Sequence, residues 1–333
     1  MKSRLAKLLA LALTPALLLG TCAGCGNTAK QPEITDPSTE PAPTVSQAAI
    51  DALDGKKILF IGNSFTHHGY CVMFKQESVL TQAERSGDQG YFYQLCKRNG
   101  AEVSVTNWCF GGHDITHTFG GAECTMNKDC KGQIHENFLT DRVFDYVAIQ
   151  FSAEKQYAGN MMEHMKYVMD FFREANPNVK FLFLVPHMAY DQNYAWHKDV
   201  EQLKGEDIIV CNWGKMLHDI VQGTVKVPGA TQTYARPTFV ISADENDGYH
   251  QNLLAGYITT VMVYSAITGD SAVGQPYDFC NDSTIDQRFN FDNFKAKKYA
   301  YEPYTNFVEV FESEADMKGL QQLVDQYIKE YNP

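Results

Sequence analysis

The chain is short of positive charge. Twenty-eight lysines and arginines stand against 40 aspartates and glutamates in 333 residues, a formal net charge of −12. An acidic protein of this kind lacks the basic footprint that nucleic-acid binding requires, so no nucleic-acid partner is expected. The N-terminal apolar run, Leu8 to Gly20, is too short to span a bilayer comfortably. No internal repeat is present, which excludes solenoid and propeller architectures. No His-Glu-x-x-His occurs, and no cysteine pair in the body has Cys-x-x-Cys spacing; neither a metal nor another cofactor is expected.

What is present begins with a targeting segment. Lys2, Arg4 and Lys7 precede the apolar run, the pattern of a secretory signal. Ala23-Gly24-Cys25 then supplies the small residues that a bacterial lipoprotein peptidase requires before a cysteine to be lipidated. Cys22 occupies the place where leucine is usual, and the competing Leu19-Gly20-Thr21-Cys22 has a poorer residue just before its cysteine. Residues 25–50 read as a tether, with Pro32, Pro37, Pro41 and Pro43 among Thr, Ser, Glu and Asp. Such a chain reaches roughly 25–30 Å from its anchor. Loss of the signal peptide, residues 1–24, removes Lys2, Arg4 and Lys7 and takes the formal charge from −12 to −15. The expected location is the bacterial cell surface, on a lipid anchor.

Seven cysteines follow Cys25: Cys71, Cys96, Cys109, Cys124, Cys130, Cys211 and Cys280. An odd number leaves at least one thiol free. Cys124 and Cys130 are near enough in sequence to close a small loop, and a fully reduced set is the other reading.

Within the body, strand-like runs recur at Ile58–Ile61, Val103–Trp108, Tyr146–Gln150, Phe181–Val185 and Ile208–Cys211. Helical patterns fall between and after them at Tyr91–Arg98, Met161–Arg173, Gly214–Val221 and Asn252–Ile267. This alternation predicts parallel crossover units with both sheet faces covered, an α/β fold built as a three-layer α/β/α sandwich. Phe239–Ser242 reads as a short strand or extended arm. The main domain is placed at 51–270. The remainder, 271–333, reads as an extension whose terminal helix, Glu312 to Tyr331, packs on that domain through Leu320, Leu323, Val324, Tyr327 and Ile328, with Ser313 as N-cap.

The chemistry concentrates where the first strand ends. Ile61-Gly62-Asn63-Ser64-Phe65-Thr66 is an apolar strand that stops at a small-residue turn and delivers a serine. Ligands bind at such carboxyl edges in α/β sheets, although a serine there also reads as a helix cap. Far downstream, Asp247-Gly248-Tyr249-His250 places a base and a carboxylate in one turn, the two partners that serine hydrolysis needs.

These blocks resemble the SGNH, or G-D-S-L-like, hydrolase superfamily. The second block is similar to Asn107-Trp108-Cys109-Phe110-Gly111-Gly112-His113-Asp114. The third departs from the usual Gly-x-Asn-Asp, because strand Phe144 to Ile149 runs into Gln150-Phe151-Ser152. The chain looks like a branch with Gly-Asn-Ser-Phe-Thr and this glutamine, over roughly residues 56 to 270. The resemblance implies a flavodoxin-like sheet and an ester-hydrolysing triad of Ser64, His250 and Asp247. It also implies oxyanion donors at the amide of Gly112, with Gly111 an equivalent neighbour, and at Gln150, whose side-chain amide can donate as asparagine does. Asp244 and Glu245 compete with Asp247 as orienting carboxylate, but only Asp247 fits the block. His67, His68, His113, His117 and His135 cluster in loops; His113 and His117 are four apart, as two ligands on one helical face would be, but Gly111-Gly112 disfavours a helix there, and some of the five are read as lining the cleft. Acetylated glycans are the leading substrate class, with aromatic loops Tyr190–Trp196 and Tyr299–Tyr304 available to stack on sugars. The alternative is a lipoprotein that binds glycans on the same scaffold without turning them over; a retained Ser64–His250 hydrogen bond would favour the enzyme.

Mass spectrometry of the membrane-extracted protein is expected to find Cys25 as a lipidated N-terminus. Cleavage elsewhere, with Cys25 unmodified, would remove the anchor.

Overall fold

Ile58-Leu59-Phe60-Ile61 has no solvent face: all four side chains are fully buried. A strand of β-branched and aromatic residues sealed on both sides belongs inside a parallel sheet covered above and below. The computed structural model describes residues 45–66, 85–110, 139–150, 161–190, 197–240, 250–281 and 307–333. In it this run is the core of β1 (Lys57–Gly62), which joins β2 (Ser104–Cys109), β3 (Tyr146–Ile149), β4 (Lys180–Leu184) and β5 (Ile209–Cys211). The order is β2-β1-β3-β4-β5 and every pair is parallel. Ile61 stands opposite Trp108 on one side and Ile149 on the other.

Parallel neighbours need crossovers, and these are right-handed. Helix α3 (Tyr91–Arg98), between β1 and β2, and α4 (Met161–Arg173), between β3 and β4, connect strands that step in opposite directions, so they lie on opposite faces. Phe92 of α3 meets Phe60 edge-on at 5.4 Å. Phe172 of α4 meets Phe144, just before β3, at 6.0 Å. The molecule is a three-layer α/β/α sandwich. Chain order reverses between β1 and β3, which opens a crevice at their carboxyl ends.

Two further helices precede α3. The first, α1 (Gln47–Leu53), lies partly within the segment read as tether, whose residues 47–50 are helical. Ser46 caps it by accepting from Ala49 N, and is itself held by Asp270 through its backbone N (3.0 Å) and hydroxyl (2.6 Å). The second, α2 (Ser64–Thr66), is a single turn after β1. Beyond β5, helix α5 (Trp213–Val221) is capped by Asn212.

Helix α6 (Leu253–Thr268) is buried on every side from Leu253 to Ser265, the mark of a helix inside a core layer rather than on its surface. Asn252 caps it by accepting from Ala255 N (3.1 Å) and donates from Nδ2 to Thr238 O (2.8 Å). Gly269 ends it with φ +77°, a left-handed geometry that glycine adopts without strain. No described helix is long and apolar enough to cross a membrane.

Of the short strand or extended arm read at Phe239–Ser242, Phe239 and Val240 are described and the rest lies outside the described residues. Val240 forms an antiparallel bridge with Gln251, and Phe239 O accepts from Asn252 N.

The C-terminal region adds α7 (Phe307–Phe311) and α8 (Glu314–Tyr331). Ser313 caps α8. Asp316, in its first turn, is fully buried and accepts from Thr231 N (3.1 Å), Gln232 N (3.3 Å) and Tyr234 OH (2.8 Å), as well as from the Thr231 hydroxyl. Gly319 lets α8 come close to this segment, since a Cβ there would lie 2.1 Å from Pro228 O.

Desolvation opposes ionisation of Asp316, but hydrogen bonds from Ser313, Thr231 and Tyr234 outweigh it and hold the carboxyl below its ordinary value. A depressed folded-state pKa contributes stability that is present above the unfolded carboxyl range and lost as pH falls through the folded value. Asp316→Ala is expected to cost about 3 kcal/mol at pH 7 by urea denaturation, because several buried donors lose their acceptor. The difference should shrink as pH falls below the ordinary carboxyl range and through the depressed folded-state value. A pH-independent difference would mean that the charge of Asp316 is not what holds the segment.

Candidate active site

The turn after β1 is built from three residues with different tasks. Gly62 is sterically required, because a Cβ there would lie 2.1 Å from Thr66 Oγ1 and 3.3 Å from Gln150 Cβ. Asn63, 5% exposed, supplies the cap of α2: its Oδ1 accepts from Phe65 N at 3.1 Å and its backbone O accepts from Thr66 N at 3.0 Å. The side chain of Ser64 is thereby released from capping. Its Oγ lies 2.8 Å from His250 Nε2, across 186 residues of sequence. With the imidazole proton on Nδ1, the Ser64 hydroxyl donates to Nε2, the geometry a general base needs.

His250 reaches this point because the chain around it is pinned. Gln251 makes the bridge to Val240, Asn252 N donates to Phe239 O, and α6 starts one residue later. Gln150 closes β3 beside the turn. Its backbone N donates to Ile61 O (2.9 Å), its side chain is sealed at 1% exposure, and Nε2 donates to Asn63 Oδ1 over 3.4 Å. Its Oε1 is buried with no partner. Ser64 and Gln150 therefore flank the crevice where strand order reverses. Of the other residues singled out in the sequence, Cys25, Gly111, Gly112, Asp244, Glu245, Asp247 and the histidines at 67, 68, 113, 117 and 135 lie outside the described residues. So do Cys71, Cys124 and Cys130.

Three aromatic side chains to which the sequence assigned no role stand in series behind the histidine. The Phe65 ring stacks on His250, centroids 5.2 Å apart and planes inclined by 22°. His187, which follows β4, meets Phe65 edge-on at 6.2 Å and packs against Trp213 at 5.7 Å. His187 keeps some exposure as a residue, yet its Nε2 is sealed without a partner. Burial first, then the nearby Arg236 and His250, pushes its pKa down to about 3. It is neutral at any working pH. The clue to Phe65 was its place directly after the serine; nothing local distinguished His187.

Arg85 braces the turn from the side of β2. It is 3% exposed, donates to Cys109 O (3.0 Å) and lies over the Phe110 ring at 3.8 Å. Phe110 N in turn donates to Gly62 O (3.0 Å). Desolvation pulls the Arg85 pKa down from its usual value. A recess lined by His187, Leu217, His218, Arg236 and Phe239 mixes apolar walls with a few polar groups, as ligand sites do.

Among the described residues no group of three or more His, Cys, Asp or Glu side chains comes together to hold a metal. The described cysteines, Cys96, Cys109, Cys211 and Cys280, are free and buried. Burial drives the Cys96 and Cys211 thiols far up from their ordinary pKa, so they are packing groups.

No family model matches the chain, and no curated protein does. Solved structures to which it is similar include a catalytic mutant of Axe2, an acetylxylan esterase from Geobacillus stearothermophilus, at 15% identity over 65% of this chain and 95% of that chain, with a TM-score of 0.39. A family 3 carbohydrate esterase from Clostridium thermocellum is 13% identical over 64% of this chain and 99% of its own, with a TM-score of 0.38. A carbohydrate esterase family 2 enzyme with a carbohydrate binding domain, from Myceliophthora fergusii, is 15% identical over 65% of this chain and 67% of that chain, at a TM-score of 0.36.

Proposed function

We propose that the protein is a serine esterase of SGNH type, exported and lipid-anchored, that removes acyl groups from carbohydrate esters. The observation that carries this is the 2.8 Å contact between Ser64 Oγ and His250 Nε2, made at the carboxyl edge of the sheet beside the strand-order reversal. A glycan-binding scaffold has no need of a base held on that hydroxyl, so the contact favours the enzyme over the binder.

The chemistry follows from the atoms. Ser64 Oγ attacks the ester carbonyl carbon while its proton passes to His250 Nε2, and the carbonyl electron pair moves onto oxygen. Asp247, three residues before His250, holds the other ring nitrogen in the donor form. The amides of Ser64 and Gly112 and the side-chain amide of Gln150 receive the oxyanion, each donor being worth on the order of 10²–10³ in rate. His250 then returns the proton to the departing alcohol oxygen, leaving an acyl-enzyme. Water repeats the sequence and releases the acid. No step calls for a metal or cofactor. Acetylated glycans suit a tethered protein that meets external polymers first.

Labelling by a fluorophosphonate probe is expected in the parent and absent in Ser64→Ala. Ser64→Ala and His250→Ala should each abolish most hydrolysis of a model acetyl ester, with the double variant scarcely worse than either, since residues that act as a unit are not additive. Asp247→Asn should fold and yet lose several orders of magnitude. Normal ester hydrolysis by Ser64→Ala would sink the enzyme and leave the glycan binder.

Gln150→Ala is expected to slow turnover roughly 10- to 1000-fold while leaving thermal stability nearly unchanged. The opposite pattern, lost stability with activity retained in the folded fraction, would make Gln150 a structural amide that supports the Asn63 turn.

A further inference from the structure

We propose that Phe65 is a positioning residue for His250, its ring serving as the platform on which the imidazole lies while Nε2 takes up and returns the Ser64 proton. The proposal rests on the esterase activity assigned to Ser64 and His250 and goes beyond it, since Phe65 exchanges no proton and forms no bond in that chemistry and acts only through His250.

Three observations carry it. Phe65 follows Ser64 directly, inside the one-turn helix capped by Asn63, so nucleophile and platform belong to one rigid piece of backbone. The near-parallel stack at 5.2 Å and 22° leaves the imidazole edge free to face the Ser64 hydroxyl, which it does at 2.8 Å. Finally, Phe65 is itself fixed. It is 8% exposed and packs against His187, which packs against the fully buried Trp213, so three rings stand in series behind the base.

The stack also has the right energetics. Before attack His250 is a neutral ring; when Oγ bonds to the carbonyl carbon, the Ser64 proton moves to Nε2 and the ring becomes a cation. The face of an aromatic ring attracts a cation more strongly than a neutral heterocycle. The contact therefore strengthens as the transition state is approached, the condition for raising turnover rather than binding alone. His187 serves the same end by staying neutral, because a second cation on the far side of Phe65 would repel the one that forms on His250.

An ordinary core phenylalanine would do none of this, and leucine would replace it with little effect on turnover. Steady-state kinetics on a model acetyl ester separate the two. Phe65→Leu is expected to keep its fold by thermal unfolding and to lose roughly 5- to 30-fold in kcat, from the desolvated cation–π range, with KM within about twofold. Phe65→Tyr, which retains the ring face, is expected to stay within about threefold of the parent kcat. Parental kcat in Phe65→Leu, equal losses in the two variants, or a loss confined to KM would each overturn the proposal. Should Phe65→Leu fail to fold, Phe65→Met is measured against the same thresholds. Fluorophosphonate labelling of the parent tells the two levels apart: an unlabelled parent overturns the esterase and the platform together, whereas a labelled parent with full kcat in Phe65→Leu overturns the platform alone.

Discussion

The complete burial of β1 is the constraint from which the rest of the structure follows. Ile58, Leu59, Phe60 and Ile61 expose nothing, so the strand must have neighbours on both sides and a helical layer above and below. Paired with β2 on one side and β3 on the other, it sits where the order of strands reverses. The chain leaves it at Gly62, into the one crevice that such a sheet opens at its carboxyl edge. The position of Ser64 is a consequence of that burial before it is a feature of any catalytic motif.

Two asparagine caps then convert a favourable location into a defined distance. Asn63 satisfies the first turn after β1, and so the serine hydroxyl does not have to. Asn252 does the same for α6 while also holding Thr238 O, and with the Val240–Gln251 bridge it closes the base of the segment that ends in His250. Each cap contributes about 1 kcal/mol to its helix. The greater return is orientation, because the Ser64–His250 contact joins the ends of two segments that are each held at their roots.

Several described groups near the site are kept out of its chemistry by burial. His187, which could have placed a second cation beside His250, is held neutral by burial. The described thiols are sealed in the core. Arg85, the buried cation nearest the Gly62 turn among those discussed, is spent on the Cys109 carbonyl and the faces of Phe110 and Trp108.

The sequence by itself determined the elements whose signal is local. Tyr91–Arg98 and Met161–Arg173 are helices with the bounds their periodicity implies, and each strand lies within about a residue of its apolar run, because side-chain spacing of 3.6 or 2 residues is written along the chain. Ser64 and His250 were legible for a similar reason: each sits in a short block whose composition suits one turn. Tertiary structure alone decided the remainder. Residues 47–50, Gln-Ala-Ala-Ile, follow a Pro- and Thr-rich stretch and are counted with the tether, yet they are helical because α1 buries Ala49 and Leu53 and because Ser46 finds Asp270, 224 residues away. Val240 finds its bridging partner in Gln251, eleven residues on, only because the chain folds back there. The stack of Trp213, His187 and Phe65 behind His250 joins four distant parts of the chain. No spacing rule reaches across such separations; only closure of the fold brings those rings together.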